Sequence, residues 1–305
     1  MPIKSLKIFL NKLIDYAGLF PPANLNLNKA LKKYREYIEC DDSWIMSQFV
    51  IHLNDLENIS KDDMEIFNDN FQLDFSVLSE NLENDIEKLN QFKNQFSNKV
   101  KFSGLETLIC QSDDLYNLLT STNITIQNNN LKLSSFFELS YDKNWLKEML
   151  IAVKTISKFN KLNKTNFGFK LRCGGIKANM FPDSNLVSNT ILNCIKDNVP
   201  MKFTAGLHHP FRHFDDNVNT KIYGFFNIFI GAMLAQKYKF KCSQLNQILL
   251  DENEYSFIFY EDKIKWKNFH ITNDEIKQFR KSQFISFGSC SFDEPREDLI
   301  KLGVF

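Results

Sequence analysis

Eight short runs rich in β-branched or aromatic residues alternate with longer stretches of helical periodicity. That alternation confines the chain to parallel α/β architectures, because parallel neighbours are joined by crossovers that are usually helices. The runs are DYAGLF (15–20), WIMSQFVI (44–51), FQLDFSVL (71–78), VKFSGLETLI (100–109), SSFFELS (134–140), FGFKLR (167–172), MKFTAG (201–206) and FISFGS (284–289). Between them NKALKKYREYIE, ENDIEKLNQFKNQF, NWLKEMLIAVKTISKFN and SNLVSNTILNCIKDN read as helices. Eight βα units in 305 residues predict a single-domain (β/α)8 TIM barrel spanning residues 1–305. It carries an extra N-terminal helix (3–14) and a small insertion before the last strand, where SFIFYEDKIKWKNF reads as a hairpin turning at Glu261 and Asp262. DYAGLFPPA also reads as an irregular loop, and without that strand the sheet would be open.

Composition removes several classes of function. Lys plus Arg equals Asp plus Glu at 37 each, so no global field favours nucleic acid or an anionic membrane, and any anion selectivity must be local. Six cysteines at 40, 110, 173, 194, 242 and 290 lack any metal-type spacing, which suits free thiols in a reducing compartment. MPIKSLKIFLNKLIDYAGLF, broken by Lys, Asn and Asp and without a small-residue cleavage site, does not read as a signal peptide, and IYGFFNIFIGAMLAQ is short for a membrane span. The expectation is a cytoplasmic protein with a small-molecule anionic substrate, no nucleic acid or membrane partner, and a possible homo-oligomer. The apolar helix at 222–235 must be covered on all sides, by the barrel and insertion or by a second subunit.

Alternate residues of a strand share a face, and in such barrels the chemistry sits at the strands' C-terminal ends. One parity places Gly104 and Glu106, Phe136 and Glu138, Gly168, Lys170 and Arg172, Lys202 and Thr204, and Ser286 and Gly288 on the inner face. Small or apolar residues then lie low in the barrel and charged ones high. Buried Lys and Glu need mutual pairing or a ligand. One reading is a structural ion-pair ring of Glu106 and Glu138 against Lys170 and Lys202; the other is an active site.

Lys170 and Lys202 occupy neighbouring strands one βα step apart. A desolvated lysine beside a second cation becomes a neutral amine able to attack a carbonyl. In that reading Lys170 forms the imine, Lys202 depresses its pKa, and Glu138 or Glu106 is the general base. Arg172, Thr204, Arg212, Ser289 and a histidine, His208 or His209, would contact the substrate, and Gly174 and Gly175 would present amides to its anionic group ahead of a helix beginning at Asp183 or Ser184. Ser289, Ser291, Glu294 and Arg296 read equally well as capping of the last helix. No cofactor is required. Alternatively Glu106 and Glu138 join His208 or His209 around a divalent metal ion in an isomerase or hydrolase. Adjacent histidines in extended chain point opposite ways, so at most one faces the centre, and His213 is the spare. Asp15 and Tyr16 reach the mouth if the first strand forms. A third reading is an inactive barrel that binds a ligand or assembles through the helix at 222–235.

The strings FKLRCGG and MKFTAGLHH resemble the sixth and seventh strands of class I, Schiff-base aldolases of the deoxyribose-phosphate aldolase type. The resemblance implies a lyase with Lys170 as the imine former and Lys202 as its tuning partner. Arg172 and the double histidine depart from that pattern, and clear phosphate-binding glycines after the seventh and eighth strands are lacking. Across more of the chain YAGLFPPA, KLRCGG, KFTAGLHHP and FGSCSFDEP resemble an uncharacterised bacterial protein family, which implies a common fold and site but no reaction.

Overall fold

The computed structural model describes residues 2–68, 70–109, 114–140 and 144–303. Eight parallel strands close into a barrel: β1 (Ile14–Tyr16), β2 (Met46–His52), β3 (Leu73–Leu78), β4 (Val100–Ile109), β5 (Ser134–Leu139), β6 (Gly168–Arg172), β7 (Met201–Thr204) and, last in the chain, β13 (Phe284–Ser289). They follow one another around the wall, with β1 between β13 and β2. The first strand therefore forms and the sheet is closed, although β1 has only three residues and GLFPPA lies beyond it. Helix α1 (Lys4–Leu10) is shorter than the 3–14 expected, because Lys12 takes a left-handed backbone conformation and Ile14 already begins β1.

Helices α2 (Leu27–Glu39), α3 (Lys61–Glu65), α4 (Leu82–Phe96), α5 (Leu115–Asn128), α6 (Trp145–Asn163) and α7 (Ser184–Asp197) connect the strands up to β7. Side chains that satisfy free backbone N–H groups start several of them. Asn26 caps α2, Asn81 α4, Asp114 α5 and Asp183 α7. At the far ends of α6 and α7, Lys164 and Asn198 adopt left-handed backbone and turn the chain toward the next strand. Asn160 fixes the turn into β6: its side chain donates to Phe167 O and accepts from Phe167 N, at 2.8 and 2.9 Å.

The long connection from β7 to β13 is richer than one hairpin. It contains a two-stranded ribbon, β8 (His213–Asp215) with β9 (Thr220–Ile222), then α8 (Phe225–Tyr238) and α9 (Cys242–Leu249). A three-stranded antiparallel sheet of β10 (Phe257–Phe259), β11 (Lys263–Trp266) and β12 (Phe269–Thr272) follows, with the first turn at 260–262 as expected and a third strand that was not. Helices α10 (Asn273–Ser282) and α11 (Asp293–Lys301) flank β13.

Helix α8 explains its uniform apolarity. Every side chain from Phe225 to Ala235 is buried. Phe229 alone meets Phe203 of β7, Phe287 of β13 and Phe9 of α1. The chain covers this helix itself, so these side chains are not open to a second subunit. Among the described residues no helix is long and apolar enough to cross a membrane.

Candidate functional site

The alternation expected of the strands holds at the site. Phe169, Leu171 and Phe203 are fully buried against the outer layer, while the intervening Lys170 and Lys202 are level with each other on the inner face. Glu138 is level with Lys170. Glu106 lies on β4, one strand further round the wall.

These side chains meet in a continuous network. Lys170 Nζ stands 2.6 Å from Glu106 Oε2 and 2.7 Å from Glu138 Oε2. Lys202 Nζ binds the other oxygen of Glu106 in a short contact and lies 3.0 Å from Asp15 Oδ2. Arg172 Nε closes the upper end on Glu138 Oε1 at 2.9 Å. Ser286 donates to Asp15 Oδ2 at 2.5 Å and Ser76 to Glu106 Oε1 at 2.8 Å, while Gln48 N donates to the remaining Asp15 oxygen at 3.1 Å. Three carboxylates thus face three cations. Asp15, Glu106, Glu138, Lys170 and Lys202 are all buried; Arg172 alone reaches solvent substantially, with 36% of its side chain exposed.

The network reverses the expected electrostatics of the lysines. Burial pulls the Lys170 amine downward, but Glu106 and Glu138 outweigh burial and hold it above the ordinary lysine value. Lys202 follows the same pattern through Asp15 and Glu106, with the opposing field of Lys170 the smaller influence. Burial would raise the Glu106 carboxyl, yet Lys170 and Lys202 hold it well below the usual range, and Lys170 with Arg172 do the same for Glu138. The sequence places two cations side by side; the structure inserts a carboxylate between them. Lys170 at rest is an ammonium, not the neutral amine expected.

Asp15 was legible only as a residue able to reach the mouth, and Ser76 and Gln48 were not singled out. Their signal is parity: Ser76 interrupts the apolar run of β3, and a Cβ on Gly104 would fall 2.4 Å from its hydroxyl. Below the network the barrel is not filled by apolar side chains. A cavity of about 650 Å³ at the N-terminal end is lined by Ser47, Gln48, Ser103, Ser134, Phe136, Lys202 and Ser286, with α1 and α10 residues at its rim. Lys202 therefore borders this lower cavity, whereas Arg172 points the network toward the C-terminal mouth.

Several expected contacts lie elsewhere. Gly174 and Gly206 press together beneath Phe181, where a Cβ on Gly174 would lie 2.4 Å from the Phe181 ring and 2.9 Å from Gly206 Cα. Gly206 also has φ +70°, so the glycines serve close packing and a left-handed turn. The start of α7 falls where expected, but the Asp183 carboxylate accepts from Leu186 N there at 2.9 Å. Its negative charge opposes an anion at that helix terminus. Ser289 is buried and donates to Ser291 O at 2.7 Å, a local turn. Arg212 packs over Tyr223, 5.1 Å from its ring centre, and faces Glu252 at 3.9 Å. Thr204 remains at the mouth, level with Arg172 and Gly288.

The histidines do not join Glu106 and Glu138. His208 Nδ1 lies 3.1 Å from Glu294 Oε2 of α11, close but off the line of a good hydrogen bond. His209 Nδ1 is 2.5 Å from Asp298 Oδ2. Among the described residues, the one group of three able to share a metal ion is His209, His213 and Asp215. The alternative set of Glu106 and Glu138 with His208 or His209 is not such a group, and His213 is the histidine that stands beside His209. Cys173 and Cys290 are buried, which raises both thiols; Cys110 lies outside the described residues.

No family model, curated protein or solved structure matches the chain.

Proposed function

We propose that the chain is an enzyme acting on a small anionic carbonyl compound, a lyase of class I aldolase type in which Lys170 forms an imine. The observation that carries this reading is one amine held between two carboxylates, at 2.6 and 2.7 Å, inside a barrel. Because the resting amine is protonated, it must first pass a proton to Glu138 or Glu106. A substrate anion drawn to Arg172 would compete for the cation that now stabilises Glu138 and would make that carboxylate a better base. The freed amine adds to the carbonyl carbon, and its second proton and the one held by the carboxylate leave with the former carbonyl oxygen as water. The protonated imine then accepts the electron pair of the breaking carbon–carbon bond as an enamine, while the regenerated carboxylate takes the proton of the substrate's β-hydroxyl, whose oxygen becomes the carbonyl of the departing fragment. Return of that proton to the enamine carbon and hydrolysis of the imine by water release the second product and the Lys170 amine.

A specific observation favours a second reading, the structural ring: every charge in the network already has a partner. Buried ion pairs add little net stability over apolar packing, so a purely structural role does not by itself account for three carboxylates and two buried lysines. Borohydride treatment with a panel of small aldehydes and keto acids separates the two. The lyase reading expects one reduced adduct on the peptide containing residue 170, absent in Lys170→Arg, because a guanidinium stays protonated. If no compound labels the wild-type protein, and Lys170→Met changes stability alone, the ring is structural.

A further inference from the structure

The loop leaving β7 builds a second constellation that the lysine network does not use. His209 lies in that loop, while His213 and Asp215 are two residues apart in β8 and so share a face of the ribbon. One ligand atom from each of the three lies within 4.8 Å of the others, and the two imidazole rings meet edge to face with centres 4.4 Å apart.

What distinguishes the group from a chance cluster is how each ring is held. His209 Nδ1 faces Asp298 Oδ2 of α11 at 2.5 Å, and an ionised carboxylate only accepts. His213 Nδ1 faces the Phe211 carbonyl at 3.0 Å, which likewise only accepts. Both Nδ1 atoms must therefore carry the hydrogen, and in the neutral ring the lone pair is left on Nε2. Anchoring of one ring nitrogen by a carboxylate or carbonyl is how metal-bound imidazoles are oriented and their tautomer fixed. Asp215 behaves consistently: Oδ1 accepts from Asn217 N at 2.7 Å, leaving Oδ2.

The backbone beneath is fixed as well. The carbonyls of His209 and Pro210 accept from Phe225 N and Phe226 N at the start of α8, at 3.0 and 2.9 Å. Arg212 N donates to Asn227 Oδ1 at 2.9 Å, and that fully buried asparagine donates in turn to Ile248 O and Asp251 O. The stretch from His209 to Arg212 is thus clamped onto α8, and β8 is paired with β9, so little chain entropy remains to be lost when an ion binds.

We infer that His209, His213 and Asp215 form a binding site for a borderline divalent transition-metal ion such as Zn²⁺, with Asp298 orienting His209. Two imidazoles and a carboxylate suit that class over Mg²⁺ or Ca²⁺, which take all-oxygen sets. Three protein donors leave a position for water or a ligand oxygen.

The test uses the full chain, stripped with EDTA and titrated with Co²⁺, whose visible d–d bands report coordination by nitrogen and oxygen. One Co²⁺ per chain is expected, without a thiolate charge-transfer band, and Zn²⁺ should displace it. His213→Ala and Asp215→Asn should abolish the bands. Asp298→Asn should weaken binding by roughly 10–100-fold, the usual effect of losing an orienting partner, and His270→Ala should change nothing. Circular dichroism checks that each variant folds. Independently of any variant of the site, Zn²⁺ added to the wild-type protein should shift the imidazole NMR signals of two histidines and leave those of His52 and His270, assigned through their own substitutions, in place. No one-to-one Co²⁺ complex, a complex that survives His213→Ala, or unshifted wild-type signals would each overturn the site.

Discussion

At the scale of residues, Glu106 is the keystone of the lysine network, because each of its oxygens engages a different lysine. Glu106→Gln leaves two buried ammonium groups short of a counter-charge, and breaking a buried pair on one side costs roughly 3–5 kcal/mol. Urea unfolding at neutral pH should show that loss. The sign of the pH dependence follows from the shifts. Glu106 and Glu138 are held below their ordinary values, so their contribution is present above the unfolded carboxylate value of about 4.3 and is lost as pH falls through the lower folded value. Lys170 is held above its ordinary value, so its contribution is full below about 10.4 and is lost as pH rises through the higher folded value. The difference in melting temperature between wild type and Glu106→Gln should therefore be flat between about pH 5 and pH 10 and shrink at both extremes. A gap that opens or closes near pH 7 would mean that a lysine titrates there, as the neutral-amine expectation requires. Strand parity was enough to bring Lys170, Lys202, Glu106 and Glu138 into one contact. It could not show that Glu106 falls between the lysines, because that depends on the stagger of β4 against β6 and β7, which the barrel's closure sets.

At the scale of elements, what the sequence made legible tracks length and period. The runs that became β2 to β7 and β13 are apolar enough to stand out between helices, and α4, α6 and α7 carry periodic faces. The ribbon of β8 and β9 has three residues per strand, too few for alternation to rise above chance. That is why His213 read as spare: its partners depend on a ribbon the pattern does not reveal. Helix α8 is the opposite case, so apolar that periodicity vanishes, and its covering by β7, β13, α1, α9 and β12 could be read only as a requirement. That covering has a measurable size. Phe229 is fully buried, with rings of Phe9, Phe203 and Phe287 around it. Phe229→Ala should destabilise by roughly 3–5 kcal/mol through lost burial and the void it leaves, whereas Phe229→Leu should cost much less. If the two substitutions cost the same in urea unfolding, α8 is not the packed layer described.

At the scale of the whole molecule, a closed barrel must join the first strand to the last, and here the first strand has three residues. Its pairing with β13 amounts to a short register, Ile14 to Tyr16 against Phe287 to Ser289. Extra closure comes from Arg280 at the end of α10. Its Nε donates to Phe9 O at 3.1 Å, Nη2 to Asn11 O and Lys12 O at 3.2 Å each, and Nη1 to Phe284 O at 2.7 Å and to Ile285 O. One guanidinium thus ties the end of α1 and the approach to β1 to the first residues of β13. A guanidinium suits this because its donors radiate in a fixed plane; an ammonium of similar charge cannot reach carbonyls spread so widely. Arg280→Met should cost roughly 2–4 kcal/mol, since the part-buried carbonyls of Phe9, Phe284 and Ile285 lose a charged donor, and Arg280→Lys should recover only part of that. The loss should also be local before it is global, because closure can open while the remaining walls stay paired. Hydrogen exchange locates it. The amides of Ala17 and Phe287, which bond Ser289 O and Leu13 O at 2.7 and 2.9 Å, should exchange much faster in Arg280→Met, while those between β4 and β5 keep their protection until global unfolding. Equal acceleration around the whole wall would show that the barrel opens only as one unit and that Arg280 is not the clasp at its seam.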